Sequence, residues 1–271
     1  MKGKKPVAEI SVITTSMNYG EYIEECIKSV LDLKAPFKFK INHIIMDGGS
    51  TDNTAEIVGK YGDKVHFYMN KGEGQTAALI HAMKIIEKKF PGTHYIGWLN
   101  ADDYYRPCWL EASITALRKE KGNVAMTCAG YGQLGVPKHL KKKVAKLQTK
   151  ALTKHIPYVR LHRMMKGNRI CQPTVCIRFY AFKDIKKKDG YYFNPNHHYC
   201  QDVDIWMRFL IHGYKIRRLR VVVATLRRHP LRMTRTHGSQ QREEGNLIRK
   251  LMAEKLRKIR ATVENVIPSG C

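Results

Sequence analysis

The feature that most constrains the fold is a fourfold alternation of strand-like and helix-like segments within the first 120 residues. Residues 9–15, 41–46, 65–69 and 95–99 are short apolar runs rich in β-branched or aromatic residues, as expected for strands. The segments between them carry apolar residues at helical spacing. Such an alternation is typical of a mostly parallel sheet flanked by helices, so the sequence predicts an α/β fold.

Polar residues follow three of these strands at their carboxyl ends. Ser16 ends the first strand, Asp47 the second, and Asp102 comes shortly after the fourth. In open parallel sheets, ligands bind outside the carboxyl ends of the strands. We therefore expect these side chains to lie at one binding site.

The second half of the chain begins with a strongly basic stretch. Residues 131–183 hold thirteen Lys or Arg residues and no Asp or Glu, and residues 137–169 add a loose helical stripe of apolar residues. We expect a basic helical insertion there, in a chain without repeats or low-complexity linkers. Further elements are predicted at 171–177 (strand), 202–212 (helix), 215–226 (strand) and 240–260 (helix).

The charge balance points to a polyanionic partner. Lys and Arg number 49 against 23 Asp and Glu, which gives a formal net charge of +26. Nucleic acid, an anionic membrane surface and phosphate-bearing substrates all fit such a charge.

The cysteines and the hydropathy pattern predict a cytoplasmic protein. The seven cysteines form no CxxC pair and are odd in number, which favours reduced thiols over disulfides or a zinc site. No apolar run approaches the roughly 18 residues that a membrane span requires. The basic N-terminus runs directly into strand-like sequence, which argues against a secretory signal.

Three acidic segments could carry chemistry. Asp102 and Asp103 lie on a tight turn and are candidates for a divalent cation, since Mg²⁺ takes carboxylates together with substrate phosphates. The alternative is that both residues cap the helix near Pro107. His229 could add a metal ligand and the neighbouring Arg227 could contact phosphate, although only the context favours either role.

The second segment, Asp47-Gly48-Gly49-Ser50, could bring a carboxylate and close backbone to a base or ribose, or could simply be a capped turn. The third contains Asp202 at a predicted helix start. It lies on the same helix face as Trp206, beside apolar residues, which suits a general base with a tuned pKa. A plain N-cap role stays open for Asp202.

Taken in order, several segments resemble the inverting family 2 glycosyltransferases of the GT-A fold. SVITTSMNYGEYIEECIKSVL resembles the first strand and helix of that family, and MDGGSTDNT its nucleotide-binding turn. GEGQTAALIHAM resembles the helix after the third strand, and IGWLNADDYYRPCWLE the metal-binding segment, with Asn100 in place of the first acid. YCQDVDIWMRFL and LRRHPLRMT are similar to the later acceptor-side and closing segments.

The resemblance implies a role for each matched residue. It implies that Asp202 is the catalytic base, and that Asp102 and His229 bind Mg²⁺ or Mn²⁺. The residues implied in donor binding are Thr15, Ser16, Asp47, Gly49, Ser50, Gln75, Asn100, Asp103 and Arg227.

It also implies one GT-A domain, a nucleotide-diphospho-sugar transferase fold over residues 1–271. Residues 8–120 would bind the nucleotide sugar, 121–235 the acceptor, and 236–271 would form a helical tail. The expected reaction moves a sugar from a donor, UDP-linked by preference, to a saccharide or lipid-linked hydroxyl in cell-envelope glycan synthesis.

Two other functions stay open at this stage. A metal-dependent nucleotidyltransferase has a similar layout, but such enzymes carry a basic Gly-rich loop where this chain reads TTSMNYGEY. A non-catalytic nucleic-acid-binding protein would explain the charge, although the basic stretch has few aromatics for base stacking. Docking of residues 137–169 on the anionic inner face of a membrane is the preferred interpretation of that stretch. A solvated helical insertion is the alternative.

Overall fold

The computed structural model describes residues 7–135 and 157–266, which form a mixed sheet covered by helices. Within them, the eight strands are β1 (Ala8–Ser16), β2 (Phe39–Asp47), β3 (His66–Met69), β4 (Tyr95–Asn100), β5 (Tyr104–Tyr105), β6 (Val124–Leu134), β7 (Cys176–Arg178) and β8 (Lys215–Arg227).

The helices lie on both faces of the sheet. They are α1 (Gly20–Leu31), α2 (Thr54–Gly59), α3 (Gly74–Lys89), α4 (Trp109–Lys119), α5 (Leu161–Met164), α6 (Phe179–Asp189), α7 (Gln201–Ile211), α8 (Met233–Thr236) and α9 (Gly238–Val266). Single 3₁₀ turns occur at Gly62–Lys64 and Gln172–Thr174.

The strand order is β3-β2-β1-β4-β7-β6-β8-β5. The first four strands in this order are parallel to one another, and β6 is parallel to β8. β7 runs antiparallel to both β4 and β6, and β5 antiparallel to β8. The predicted mostly parallel sheet is thus confirmed, with β7 joining two parallel groups.

The register of the parallel strands brings the predicted polar residues together. Ser16 lies opposite Asp47 in the β1–β2 ladder, and Thr15 lies opposite Asn100 in the β1–β4 ladder. Three strands therefore end at the same edge of the sheet, where the sequence predicted a binding site.

The core occupies both faces of the sheet because neighbouring residues of a strand point to opposite sides. In β1, Val12 packs with Leu99 and Trp109 in one cluster. Its neighbour Ile13 packs with Trp98 and Leu79 in another cluster on the opposite face. Burial on both faces of the sheet explains why the sequences of the parallel strands are continuous apolar runs.

Several predicted elements differ from the structure. The strand predicted at 171–177 is instead a 3₁₀ turn followed by β7, because Pro173 lacks the N–H that a ladder needs. The terminal helix is longer than the predicted 240–260. Strands β5 and β6 and helix α6 were not predicted.

Part of the predicted basic insertion, residues 137–156, lies outside the described residues. The remainder is not wholly helical: Val159 N–H donates to Ile216 O at 2.9 Å and Arg218 N–H donates to Pro157 O at 2.8 Å, so this segment runs along β8. Helix α5 follows it. Over the described ranges, no helix has both the length and the apolar character that crossing a bilayer requires.

A glycine in β4 is required by the aromatic pair packed over it. A Cβ at Gly97 would lie 2.9 Å from both the Trp109 ring and the Tyr105 hydroxyl oxygen. The two rings stack at 4.1 Å and are buried, so neither can move easily. We expect Gly97→Ala to lower the free energy of unfolding by about 1–3 kcal/mol, measured by urea denaturation.

Gly59→Ala in α2 is the matched control, because a Cβ there meets nothing within 4 Å. This change should be neutral or slightly stabilising. Equal losses of stability in the two variants would contradict the packing explanation.

Candidate active site

Three side chains meet where β1 and β4 end and α3 begins. Gln75 Nε2 donates to Thr15 Oγ1 at 2.9 Å and to Asn100 Oδ1 at 3.1 Å. Thr15 Oγ1 in turn donates to Asn100 Oδ1 at 3.4 Å. The left-handed Gly74 (φ +75°) allows the chain to enter α3 at this point. All three side chains are candidates from the sequence, and they lie in direct contact.

The turn after β2 is organised by Asp47, which is fully buried. Its Oδ1 accepts the backbone N–H groups of Gly49 at 2.9 Å and Ser50 at 2.6 Å, and its Oδ2 accepts the Ser50 hydroxyl at 2.7 Å. Gly49 has φ +97°, a conformation that favours glycine. Asp47 thus holds the turn in shape, and its role toward a base or ribose stays a prediction.

The loop after β1 is tied to this turn. Asn18 N–H donates to Ser50 Oγ at 2.8 Å, and Gly20 N–H donates to Asp52 Oδ2 at 2.9 Å. Between the two loops, the buried Ser16 hydroxyl has no hydrogen-bond partner among the described residues. Since buried polar groups are nearly always bonded, this hydroxyl is available to a ligand.

Asp102 pairs with His229 across the site. Its Oδ2 lies 3.0 Å from His229 Nε2, and each residue is only 5% exposed. The other ring nitrogen of His229, Nδ1, is buried and has no partner in the part of the chain described. The rings of Tyr19 and Tyr22 flank the imidazole at 5.9 and 4.9 Å.

Asp103 binds the segment after β8. Its Oδ1 accepts the Arg227 backbone N–H at 3.0 Å, and the Arg232 guanidinium donates to its two oxygens at 3.2 and 3.3 Å. Burial, followed by the neighbouring Asp102 carboxylate, raises the pKa of Asp103 to about 7. The capping alternative is wrong for both acids, since α4 begins at Trp109 with no side-chain cap.

Arg232 had not been singled out from the sequence. In a chain with 49 Lys and Arg residues, a further arginine stands out only by its neighbours in space. Arg227, which had been singled out, has its guanidinium bonded to Glu25 and stacked on Tyr22 at 4.9 Å. The two arginines therefore tie the end of β8 and the segment after it to Glu25 of α1 and to Asp103.

Asp202 lies in the first turn of α7 and is partly buried. Its Oδ1 accepts the Val203 N–H at 2.8 Å, and its Oδ2 accepts the side-chain amide of Asn168 at 2.9 Å. Burial raises the pKa of Asp202 to about 6. The N-cap position belongs to Cys200, so Asp202 is inside the helix and not its cap.

Cys171 directly precedes the 3₁₀ turn before β7. Burial raises the pKa of its thiol well above the usual range, and the charges of Asp103 and Asp202 raise it further. The next residue, Gln172, bonds β4, because its Nε2 donates to Trp98 O at 2.5 Å. Helix α7 is tied to the strand-end residues through α3, since Gln201 Nε2 donates at 2.7 Å to the hydroxyl of Thr76, which follows Gln75.

The acidic region offers two metal-binding side chains, not three. No group of three or more His, Cys, Asp or Glu side chains within residues 7–135 and 157–266 is placed to hold a metal ion. An ion at Asp102 and His229 would take its remaining ligands from water and a bound substrate.

Comparison with known proteins identifies the family. Residues 11–187 match the family model described as Glycosyl transferase family 2, well over half of the chain. An uncharacterized glycosyltransferase of Rickettsia typhi is 27% identical over 203 residues, which cover 74% of this chain and 58% of that protein. The chondroitin synthase of Pasteurella multocida is 31% identical over 114 residues, or 41% of this chain and 11% of that one.

Solved structures share the fold. S. aureus TarS in complex with UDP-GlcNAc superposes with a TM-score of 0.60 at 20% identity, over 82% of this chain and 59% of that one. The mannosyltransferase PcManGT of Pyrobaculum calidifontis, in complex with GDP-Man and Mn2+, has a TM-score of 0.59 at 13% identity, over 93% and 66% of the two chains. The predicted GT-A fold is thus confirmed, and the chain belongs to glycosyl transferase family 2.

Proposed function

We propose that this glycosyltransferase moves a sugar from a nucleotide-diphosphate sugar, a UDP-sugar by preference, to a hydroxyl acceptor with inversion at the anomeric carbon. The observation that carries the proposal is the buried Asp102–His229 pair, with Oδ2 and Nε2 3.0 Å apart, in a chain whose strand-end residue Gln75 is followed by Thr76, which bonds Gln201 beside Asp202. In such a site, the Asp102–His229 pair would face the diphosphate and Asp202 would receive the proton.

The proposed reaction is one in-line displacement. The acceptor hydroxyl gives its proton to the Asp202 carboxylate and its oxygen bonds to the anomeric carbon. The bond from that carbon to the diphosphate oxygen breaks, and its electron pair leaves with the nucleoside diphosphate. Attack opposite to the leaving group inverts the configuration.

Residues 8–120 would bind the donor and residues 121–235 the acceptor. The Thr15–Gln75–Asn100 contacts and the turn of Gly49 and Ser50 support a nucleotide cradle at the strand ends. The solved complexes of TarS contain UDP or UDP-GlcNAc, which supports uridine as the nucleotide. The match to a chondroitin synthase supports a saccharide acceptor, and we propose a role in cell-envelope glycan synthesis.

A divalent cation, Mg²⁺ or Mn²⁺, fits the acidic end of the site. Asp102 and His229 supply a buried oxygen and a buried imidazole, ligand types that Mn²⁺ accepts, and donor phosphates would complete the set. The ion would neutralise charge that develops on the leaving diphosphate. The Mn2+ complex of PcManGT supports this assignment.

A donor screen tests the proposed function. The protein is incubated with UDP-, GDP- and dTDP-sugars, with Mg²⁺ or Mn²⁺ and with EDTA. We expect release of free UDP from one UDP-sugar, dependent on the cation. Release of pyrophosphate from a sugar phosphate and a nucleoside triphosphate would instead support nucleotidyl transfer.

We propose that the enzyme acts at the inner face of a membrane, held there by the basic residues 137–169. Each Lys or Arg near an anionic surface contributes about 1 kcal/mol to binding. Co-sedimentation should therefore be strong with anionic vesicles, weak with neutral vesicles and reduced at high salt. Binding to a mixed-sequence RNA but not to vesicles would favour a nucleic-acid partner, and binding to neither would refute both interpretations.

A further inference from the structure

Glu244 in α9 binds the loop that leads into α7. Its Oε1 accepts the backbone N–H groups of Tyr199 at 2.9 Å and Cys200 at 2.7 Å, and its Oε2 accepts that of His198 at 2.9 Å. Hydrogen bonds to an ionised acceptor are roughly twice as strong as neutral ones. One carboxylate thus fixes three consecutive peptide groups, and the last of them is two residues before Asp202.

Other contacts hold the same loop against α9. The Cys200 thiol donates to Gln241 O at 3.1 Å, and the Tyr199 ring stacks on His237 at 5.4 Å. Further along α9, Ile248 is buried in the same core cluster as Val203 of α7. The C-terminal helix is therefore packed on the start of α7 and not only hydrogen-bonded to it.

On its other side, the loop is bound to α3. Gln201 Nε2 donates to Thr76 Oγ1 at 2.7 Å and to His198 O at 2.6 Å, and the Thr76 hydroxyl donates to His197 O at 2.5 Å. Thr76 follows Gln75, which belongs to the cluster at the strand ends. The start of α7 thus lies between the strand-end site and α9.

Asp202 itself has few anchors. Its carboxylate accepts hydrogen bonds from the neighbouring Val203 N–H and from the amide of Asn168, which is exposed. The direction of the carboxylate therefore depends on where the first turn of α7 lies.

We propose that Glu244 is a positioning residue for Asp202: through the loop 198–200 it fixes the start of α7 in the place where the base can reach the acceptor hydroxyl. This inference rests on the proposed function. The hydrogen bonds of Glu244 come from backbone N–H groups of this loop, so the proposed effect on Asp202 is indirect. Both residues lie beyond residue 187, where the family match ends.

The test compares Glu244→Gln with Glu243→Gln. The glutamine at 244 keeps the length of the side chain but removes the charge and turns an NH₂ group toward a donor N–H. Because small misplacements of a reacting group cost up to about 100-fold in rate, we expect kcat to fall about 10- to 100-fold. The KM for the donor should stay within about twofold of the wild-type value, because the substitution leaves ground-state binding of the donor unchanged. Glu243 is exposed on the same helix, and its substitution should change neither constant.

Rates are expressed per UDP-binding site, which is measured by titration with UDP. Unfolded protein then does not lower the apparent kcat. If Glu244→Gln keeps a normal kcat while Asp202→Asn is inactive, the positioning role is wrong and the proposed function stands. If Asp202→Asn keeps its turnover, the base assignment fails, and the positioning role with it. A rise in donor KM without a fall in kcat, or an effect equal to that of Glu243→Gln, would also overturn the inference.

Discussion

Asp202→Asn is expected to lower the turnover number of sugar transfer by about 10³-fold, within the range that general base catalysis contributes. Asparagine has nearly the same shape, and its carbonyl oxygen can still accept the Val203 N–H, which lies 2.8 Å from Asp202 Oδ1. It cannot take a proton from the acceptor hydroxyl. The rate is measured as release of nucleoside diphosphate in the presence of acceptor, and UDP affinity by calorimetry should be unchanged.

Asp63→Asn is the control, because Asp63 is an exposed acid in a 3₁₀ turn. It should leave both the rate and the affinity unchanged. Near-normal turnover in Asp202→Asn would refute the base assignment.

The wild-type enzyme provides a further check on the same carboxylate. Because burial raises the pKa of Asp202 to about 6, the group loses its charge as the pH falls through that value. The kcat/KM of the wild type should therefore decline below about pH 6. Asp103, whose pKa is raised to about 7, titrates at a higher pH, and its contribution is identified by the profile of Asp103→Asn. The nearby thiols of Cys171 and Cys200 also have raised pKa values and stay protonated in this range, so they add no titration of their own.

Asp102→Asn is expected to lower kcat/KM by about 100- to 1000-fold, because a metal ion contributes several kcal/mol of charge stabilisation and each 1.36 kcal/mol is a factor of ten. The asparagine can still bond His229, so the loss should come from the missing charge and not from unfolding. UDP affinity is measured by calorimetry with Mn²⁺ and with EDTA. In the variant, the difference between the two conditions should largely disappear.

His229→Gln should weaken the effect of Mn²⁺ on UDP affinity without removing it. His162→Gln is the control, because His162 is exposed. A cation effect that persists at full size in Asp102→Asn would show that the ion is bound elsewhere or is not needed.

The strand ends could be predicted from the sequence because their positions follow from regular elements. Once β1 and β4 are identified as neighbouring parallel strands, Thr15 and Asn100 must end near each other, and Gln75 opens the helix beside them. The turn of Asp47 was predicted for the same reason. These residues are close in space because regular strands and helices fix where each element begins and ends.

Other site residues could not be predicted, since their positions depend on irregular chain. Arg232 reaches Asp103 from a segment 129 residues later, and Asn168 reaches Asp202 from a loop. Glu244 was missed because its partners are backbone N–H groups, which carry no sequence signal. Pro173 disfavours a strand, but the apolar residues around it led to a strand prediction where a 3₁₀ turn forms.

The short strand β7 has a mechanical consequence. In the part of the chain that the structure describes, it pairs with three residues of β4 on one side and two of β6 on the other, whereas β1 pairs with nine residues of β2. The two parallel groups of strands are therefore joined through ladders of only three and two residue pairs. Slow amide exchange at β1 and β2, together with faster exchange at β7, would mark this strand as a hinge about which the two groups can tilt.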